Sequence, residues 1–240
     1  ANSTEFPAPV VESTGTGGGM QIFCAGVGAD RRLGAKPRFP RPVLALWEAF
    51  SSPRQITRVI SNMDLSKIAI GVNPPYDVNA IIEIPQGGEP VKYELDKESG
   101  ALLVDRFLHT AMFYPGNYGF IPHTLSEDGD PMDVMVVGPT PVVPGAIIRC
   151  RPVGTLMMTD EAGADEKVLA VPVDQLHPFY TGVESWRGLP TILTEQIAHF
   201  FKHYKDLEKG KSVDIVRWAD PDETAALIRA GIERAQNAKS

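Results

Sequence analysis

Three aspartates, Asp128, Asp130 and Asp133, stand within six residues in the segment EDGDPMDVMVV, directly before an apolar, strand-like run. Clustered carboxylates raise one another's pKa unless a cation neutralises them. Hard oxygen ligands of this kind select Mg²⁺, Mn²⁺ or Ca²⁺ rather than zinc. An Asp-rich loop is most often a solvated turn. Here Gly129 and Pro131 favour a tight, stiff turn in which the carboxylates converge, so the segment indicates a cation site.

The segment does not fit the EF-hand pattern of calcium-binding loops. With Asp128 as position one, position six is Asp133, where glycine is required, and position twelve is Pro139, where glutamate is required. The sequence therefore excludes this class of calcium site.

A second acidic loop, TDEAGADEK, follows another strand-like segment. Asp160 and Asp165 flank the flexible sequence Ala-Gly-Ala, and Lys167 begins the next strand. By itself this loop is typical of a surface hairpin turn. Together the two loops supply five aspartates at hairpin ends, which predicts an acidic rim at one mouth of a barrel.

Basic, phenolic and acidic side chains form a third group near predicted element ends. In VKYEL, Lys92 and Glu94 alternate with other residues and therefore share one face of a strand. Glu83 lies in the apolar strand AIIEIP, where a carboxylate needs a partner. Singly, such residues are more often surface pairs or core tyrosines. Collectively, donors beside clustered carboxylates favour a polyanionic phosphate ligand held by these donors and by bridging metal. The donors are Lys92, Arg106, Tyr114, Tyr118, Tyr204 and Lys205.

The composition narrows the function classes. The 240 residues are 43% hydrophobic with a formal charge of −7, and no window approaches the roughly 18 consecutive apolar residues of a membrane helix. An acidic chain is a poor match for nucleic acid, which is bound through excess Lys and Arg. The two cysteines, Cys24 and Cys150, lack disulfide or zinc spacing and fit a reducing compartment. We therefore expect a protein without membrane or nucleic-acid partners, with Cys150 buried.

Residues 1–62 differ from the remainder of the chain. Residues 1–19 are rich in Gly, Ser, Thr and Pro, and residues 20–62 are rich in Arg and poor in acidic residues. We expect an N-terminal extension that is disordered, non-native or a targeting segment, followed by one domain over residues 63–240. The expected location is cytoplasmic, with organelle targeting by the extension left open.

From Met63 onward the pattern is mainly strand, and short strands joined by tight turns suggest a closed or strongly curved antiparallel sheet. A helix is predicted in LPTILTEQIAHFFKHYKDLEKG, which Gly210 would end, and another in DPDETAALIRAGIERAQ, with Asp220 as its cap and Pro221 in its first turn. The fold class is therefore α+β, mainly β, with two flanking helices. The predicted strands are NAIIEIP, VKYEL, ALLVDRF, DVMVV, AIIRCRPVG, VGTLMM, KVLAVP and SVDIVRW.

From about Asp64 to Ala238 the chain resembles the soluble family I inorganic pyrophosphatases of the bacterial type. The resemblance rests on EIPQGGEPVKYELDKESGALLVDRFLHTAMFYPGNYGFIPHTLSEDGDPMDVMV, RCRPVGTLMMTDEAGADEK and IAHFFKHYKDLEKGK, and DGDPMD matches the family signature D-G-D-P-x-D. It implies a five-stranded, OB-like antiparallel β-barrel with flanking α-helices. The implied reaction is Mg²⁺-dependent hydrolysis of pyrophosphate to two phosphates, with Mn²⁺ as a possible substitute. A homohexamer built as a dimer of trimers is also implied.

The resemblance implies roles for the acidic residues. Asp128, Asp133 and Asp165 match ligands of the tighter-binding metals, and Asp133 bridges two of them. Asp160 and Asp165 match ligands of the metals that arrive with substrate. Asp130 corresponds to the general base for the attacking water. Two further positions, Glu83 and Glu94, match acidic residues that hold metal-bound water.

The resemblance also implies roles for the cationic and phenolic residues. The positions that match the phosphate clamps are Lys92, Arg106, Tyr204 and Lys205. Lys92 and Arg106 also count among the catalytic positions, with Tyr118 and Lys167 in supporting places. The extension over residues 1–62, which bacterial members lack, is the departure from the family pattern.

Two other functions compete with this interpretation. A metal-dependent phosphatase acting on phosphomonoesters or nucleotides would need a pocket for the organic group, which the sequence does not clearly supply. A non-catalytic Ca²⁺- or phosphate-binding module would be expected to have lost some carboxylates or clamps. Phosphate release from pyrophosphate and from ATP under Mg²⁺ distinguishes all three.

Overall fold

The computed structural model describes residues 64–238, so the predicted extension over residues 1–62 lies outside the described part. Eight strands and two α-helices make up about half of this part. The strands are β1 Val78–Ile84, β2 Val91–Leu95, β3 Leu102–Phe107, β4 Asn117–Phe120, β5 Asp133–Val136, β6 Ile147–Asp160, β7 Gly163–Pro172 and β8 Val213–Ala219. The helices are α1 Thr191–His203 and α2 Pro221–Asn237, with short 3-10 turns at Leu65–Lys67, Pro178–Tyr180 and Trp186–Gly188.

The main sheet has six strands in the order β1-β4-β5-β7-β6-β8, and β1 also pairs with β6. This additional pairing closes β1, β4, β5, β7 and β6 into a ring. Strand β8 pairs with the later part of β6, from Thr155 to Asp160. Strands β2 and β3 form a separate two-stranded sheet. The expectation of a mainly-β domain with two helices is therefore confirmed.

The predicted all-antiparallel arrangement is wrong at one pair of strands. Strands β5 and β7 run parallel, with Val134 opposite Val168. The reason is the path of the chain: β6 crosses the ring in the opposite direction to β5, and a tight hairpin then returns the chain as β7. Strand β7 therefore enters the sheet in the same direction as β5.

Two strand predictions also need correction. AIIRCRPVG and VGTLMM were expected as separate strands, but they form the single strand β6, which continues through a register shift between Pro152 and Gly154. Such an irregularity accommodates a proline, which cannot donate a ladder hydrogen bond. Strand β4 is not among the strands predicted from the sequence. It pairs closely with β1, because Gly119 lets the backbone oxygen of Ile81 approach where a side chain would stand.

Helix α1 ends earlier than predicted. The apolar spacing continues to Leu207, but the helix ends at His203, and Leu207 is 73% exposed. Tyr204 is the C-cap, and turns follow it. Gly210, the predicted end of the helix, has φ +80 and instead belongs to the turns before β8.

Helix α2 begins as predicted, with Asp220 at the N-cap and Pro221 in the first turn. The side chain of Asp220 makes no capping hydrogen bond, however. Its carboxylate accepts a hydrogen bond from Trp186 Nε1 at 3.1 Å and another from Arg187. A tertiary ion pair therefore replaces the predicted cap.

The ring is buried on both faces. Neighbouring residues of a strand point to opposite faces, so Val134 joins one apolar cluster and Met135 the other. Helix α1 contributes Ile197 and its aromatic residues to the cluster of Met135, and α2 contributes Ile228 to the cluster of Val134. Cys150 is fully buried in the cluster of Val134, as expected. Burying each large aliphatic side chain stabilises the folded state by about 1.5–3 kcal/mol. The well-packed strands therefore hold the side chains at their ends in defined positions.

Within residues 64–238, no helix combines the length and apolar character needed to cross a membrane.

Candidate active site

A cavity of about 1070 Å³ is lined by all the residues to which the family resemblance assigns a role. They come from β1, from the β2–β3 sheet, from β4, from the acidic loop before β5, from the β6–β7 hairpin and from the end of α1. They are Glu83, Lys92, Glu94, Arg106, Tyr118, Asp128, Asp130, Asp133, Asp160, Asp165, Lys167, Tyr204 and Lys205. Tyr114, which the sequence also offers as a donor, does not line the cavity and is buried in the apolar core.

The parallel pairing of β5 with β7 positions the central ion pairs. Since Val134 lies opposite Val168, the preceding residues are neighbours: Asp133 at the start of β5 and Lys167 within β7. Lys167 Nζ lies 2.5 Å from Asp133 Oδ2 and 2.5 Å from Asp165 Oδ1, and its side chain is 7% exposed. One buried ammonium therefore joins the two acidic loops.

The pKa values of Lys167 and Asp165 depend on burial and on the charges that surround them. Burial lowers the pKa of Lys167, but the charges of Asp133 and Asp165 raise it by more, so Lys167 remains an ammonium. Burial raises the pKa of Asp165 despite Lys167, and the neighbouring charge of Asp133 adds to this increase. Asp165 is therefore a carboxylate that a further cation would stabilise in its charged form.

The end of α1 positions a second lysine at the hairpin. Tyr204 caps the helix, and the next residue, Lys205, places Nζ 2.8 Å from Asp160 Oδ2 and 3.7 Å from Glu161 Oε2. Burial raises the pKa of Asp160, but the hydrogen bonds from Lys205 and from the backbone N–H of Ala162, together with the charges of Lys205 and Lys167, lower it by more. Asp160 is therefore held ionised.

The two-stranded sheet presents two cations in register. Lys92 and Arg106 are directly opposite one another across β2 and β3, and a bulge at this point makes Asp105 an extra residue. Like charges in opposite positions destabilise a strand pair. Lys92 contacts the carboxylate of Glu94 and lies 3.4 Å from Asp105 Oδ2, while Arg106 Nη1 donates to Asp105 at 2.6 Å. This hairpin is arranged to hold positive charge at the cavity.

The tyrosines of the cavity are buried and remain phenols at neutral pH. Tyr118 is 6% exposed and Tyr204 is 8% exposed. Burial raises the pKa of both hydroxyl groups. Both rings contact Phe201, at centroid distances of 6.0 Å and 5.8 Å. They can therefore offer O–H donors to an anion but cannot serve as bases.

Glu83 has the partner that its apolar strand requires. Its Oε1 accepts a hydrogen bond from the backbone N–H of Leu95 at 2.7 Å. Burial raises the pKa of Glu83 to about 8, and the charges of Asp133 and Glu94 contribute to the increase. A nearby cation would favour its ionised form.

The acidic loop folds as the tight turn that its sequence predicts. Gly129 has φ +92, which favours glycine, and Asp128 Oδ1 accepts a hydrogen bond from the backbone N–H of Asp130 at 2.9 Å. The side chain of Asp130 is 78% exposed and lies 3.0 Å from Lys97 Nζ. Asp130 therefore faces water, while Asp133 faces Lys167.

Further charged residues that were not predicted from the sequence lie in or beside the cavity. Asp105 reaches the cavity because of the β-bulge, and Lys97 because the β2–β3 hairpin folds towards Asp130. Glu208 and Lys211 follow α1, and the carboxylate of Glu208 pairs with both Lys211 and Arg106. Asp105 directly precedes Arg106 in the sequence, which could have indicated that it lies at the site. The other three depend on contacts between distant segments.

The donor set suits a hard divalent cation, although the carboxylates are held by lysines. Within residues 64–238, no three acidic, histidine or cysteine side chains converge as a ready metal site. Lys167 holds Asp133 and Asp165, and Lys205 holds Asp160. Acidic side chains nevertheless outnumber basic ones along the cavity, and their oxygens are the ligands that Mg²⁺ prefers. These residues therefore fit a magnesium-type ion, which would compete with the ammonium groups for the carboxylates.

The fold and the site define a closed β-ring with a cavity lined by clustered carboxylates and cations, and comparisons with known proteins identify the family. The family model described as inorganic pyrophosphatase matches residues 80–236. An inorganic pyrophosphatase of Caulobacter vibrioides is 85% identical over 172 residues, which cover 72% of this chain and 97% of that protein. One from Bradyrhizobium diazoefficiens is 59% identical over 177 residues, covering 74% and 99%. The crystal structure of inorganic pyrophosphatase from Thermus thermophilus superposes with a TM-score of 0.69 at 40% identity, covering 72% of this chain and 99% of that one.

The chain therefore belongs to the inorganic pyrophosphatase family, in its soluble, bacterial family I branch. Members of this family are enzymes that hydrolyse inorganic pyrophosphate, and family I enzymes are metal-dependent as a group. The expected family and enzyme class are confirmed.

Proposed function

We propose that this chain hydrolyses inorganic pyrophosphate to two phosphates with Mg²⁺, using a water activated at the acidic loops and no covalent intermediate. The observation that carries the proposal is the presence of two oppositely charged sets of side chains in one cavity. Lys92 and Arg106 stand in register on the β2–β3 hairpin, and the aspartates of the two acidic loops line the same cavity. A ligand that carries many negative charges and brings cations with it satisfies both sets.

Four aspartates would hold the metal ions, and two glutamates would hold water bound to them. When bound, divalent cations supply charge neutralisation of the phosphates and a lowered pKa for the attacking water. The direct ligands would be Asp128, Asp133, Asp160 and Asp165. The glutamates are Glu83 and Glu94. Their oxygen-only chemistry supports Mg²⁺ first and Mn²⁺ as a substitute.

Asp130 would accept the proton of the attacking water. Its carboxylate is 78% exposed and carries a contact only to Lys97 among the ion pairs of residues 64–238, so water can reach it. It lies in the same turn as Asp128, which keeps it close to the proposed metal ligands. This arrangement meets the first requirement of a general base, access to the proton that it removes.

The cations and phenols of the cavity would bind pyrophosphate and stabilise charge on the departing phosphate. Lys92 and Arg106 approach from the hairpin, and Tyr204 and Lys205 from the end of α1. Tyr118, which remains a phenol, would donate a hydrogen bond, and Lys167 would keep Asp133 and Asp165 in place.

The remaining features of the proposal concern architecture and setting. The closed ring of five strands supports an OB-like barrel as the family fold. The homohexamer built as a dimer of trimers, the cytoplasmic location and the domain boundary at residue 63 stay predictions of the resemblance and of the sequence.

The proposed activity is tested by measuring phosphate release. With Mg²⁺ and pyrophosphate we expect multiple turnovers, and with EDTA we expect none. ATP in place of pyrophosphate should release little phosphate, because the proposed site holds only the phosphate groups. Preferential hydrolysis of ATP would favour a nucleotide phosphatase, and stoichiometric binding without release would favour a binding module.

A further inference from the structure

Glu208 is a buried carboxylate that holds one of the proposed substrate ligands, Arg106. Its side chain is 9% exposed, and its Oε2 lies 3.1 Å from Arg106 Nε. Lys211 Nζ lies 3.3 Å from the same oxygen. A buried carboxylate without its cationic partners is strongly unfavourable, so this contact constrains both sides of the pair.

The contact engages the inner nitrogen of the guanidinium. Asp105 accepts from Arg106 Nη1 at 2.6 Å, so two carboxylates hold two of the three guanidinium nitrogens. In residues 64–238, Arg106 Nη2 has no hydrogen-bonded protein partner, and Arg106 lines the cavity. Because the guanidinium is planar, fixing Nε and Nη1 also fixes the direction of the Nη2 donors.

The segment after α1 thereby acts on the site in two ways. It carries Lys205, which reaches Asp160 directly, and Glu208, which reaches Arg106 on β3. The backbone N–H of Glu208 donates to the carbonyl of Lys205 at 2.8 Å, and the N–H of Lys211 donates to the carbonyl of Glu208 at 3.2 Å. These turn hydrogen bonds tie the position of Glu208 to that of Lys205.

We propose that Glu208 is a positioning residue that orients Arg106 so that its remaining N–H groups point at a phosphate of the substrate. The inference rests on the proposed role of Arg106 as a pyrophosphate ligand. If Glu208 acted only through its negative charge, removing that charge would strengthen the binding of an anion and lower KM. If Glu208 positions Arg106, removing it raises KM. The sign of the change in KM therefore separates positioning from simple charge.

The test compares Glu208→Gln with the wild type in steady-state hydrolysis of pyrophosphate at saturating Mg²⁺. Gln keeps the size of the side chain but removes its charge and places an N–H₂ group near the cations. We expect kcat/KM to fall about 10-fold, mainly through a higher KM, because Arg106 is no longer held in place. The matched control is Glu233→Gln, an exposed residue of α2, which should leave both constants unchanged.

A double-mutant cycle isolates the contact with Arg106. Lysine has no Nε-H or Nη groups, so Arg106→Lys removes the contact and weakens pyrophosphate binding. In the Arg106→Lys background, Glu208→Gln should change kcat/KM less than about 2-fold. The melting temperature of each variant is measured to verify that it is folded.

Four outcomes would contradict the proposals. An unchanged or lower KM in Glu208→Gln overturns the positioning role, as does an equal effect of this change in both backgrounds. An unchanged KM in Arg106→Lys overturns instead the proposed binding of pyrophosphate by Arg106. Absence of phosphate release by the wild type with Mg²⁺ overturns the proposed activity itself.

Discussion

Lys167 Nζ lies 2.5 Å from Asp133 Oδ2, and this contact joins the two acidic loops at the centre of the cavity. The same ammonium lies 2.5 Å from Asp165 Oδ1. It reduces the mutual repulsion of two carboxylates that are proposed metal ligands. The ion pair therefore allows the metal-free chain to fold with its acidic groups already gathered.

We expect Lys167→Met to destabilise the metal-free protein by about 3 kcal/mol, because it leaves a partly buried carboxylate pair without its cation. Mg²⁺ should restore part of this loss, since it would neutralise the same carboxylates. The measurement is urea unfolding with EDTA and with Mg²⁺. Lys67→Met is the control, because the Lys67 side chain is 80% exposed. An equal loss with EDTA and with Mg²⁺ would argue against a shared role of Lys167 and the metal.

We expect Asp130→Asn to keep the fold and metal binding but to lower kcat by about 100-fold or more, because the amide cannot accept the proton of the attacking water. The side chain is 78% exposed, so its replacement leaves the core intact. Steady-state hydrolysis of pyrophosphate and calorimetric Mg²⁺ binding provide the measurements. Lys97→Met removes the neighbouring ammonium and serves as the comparison. Turnover at the wild-type rate in Asp130→Asn would show that the general-base assignment is wrong.

We expect Glu83→Gln to change how the stability of the metal-free protein depends on pH. Burial raises the pKa of Glu83 to about 8 from its ordinary value of 4.5, so the folded protein binds this proton more tightly than the unfolded chain. Its contribution to stability is fully present below about pH 4.5 and is lost as the pH rises through about 8.

The measurement is the free energy of unfolding in EDTA at several pH values between 5 and 8. The free energy of unfolding of the wild type minus that of Glu83→Gln should decrease as the pH rises across this range, by an amount on the order of a few kcal/mol. A difference that stays constant with pH would show that Glu83 does not retain its proton in the folded state.

We expect Gly119→Ala to destabilise the domain by about 3 kcal/mol or more. A Cβ at Gly119 would stand 1.9 Å from the backbone oxygen of Ile81, and β1 would have to move away from β4. The matched control is Gly188→Ala, where the nearest atom would be 3.6 Å away, in ordinary contact. Urea unfolding of both variants checks this prediction, and a loss no greater than that of Gly188→Ala would contradict the close pairing of β1 and β4.

Much of the candidate site can be predicted from the sequence, because its residues occur in short, chemically biased segments. The turn around Gly129 follows from local preference, and the shared face of Lys92 and Glu94 follows from the two-residue period of a strand. The buried carboxylate of Glu83 is recognisable against its apolar neighbours. Each of these features depends on residues that are close along the chain.

The predictions fail where a competing tertiary contact decides the conformation. The apolar spacing of α1 continues to Leu207, yet the helix ends at His203 and turns bring Lys205 to Asp160. Asp220 stands at a helix cap, yet its carboxylate binds Trp186 and Arg187. In each case the local preference is worth about 1 kcal/mol, which ion pairs and packing can exceed.

The sequence by itself determined which chemical groups are present, where most strands lie and which turns hold carboxylates, since these depend on side-chain type and short periodicities. Only the tertiary structure decided that β5 and β7 run parallel, which places Asp133 beside Lys167. It also decided that Glu208, which follows α1, contacts Arg106 on β3. The physical reason is that pairing between distant segments depends on the path of the chain and on joint burial of charge. The pattern of neighbouring residues reveals neither the path of the chain nor which charges are buried together.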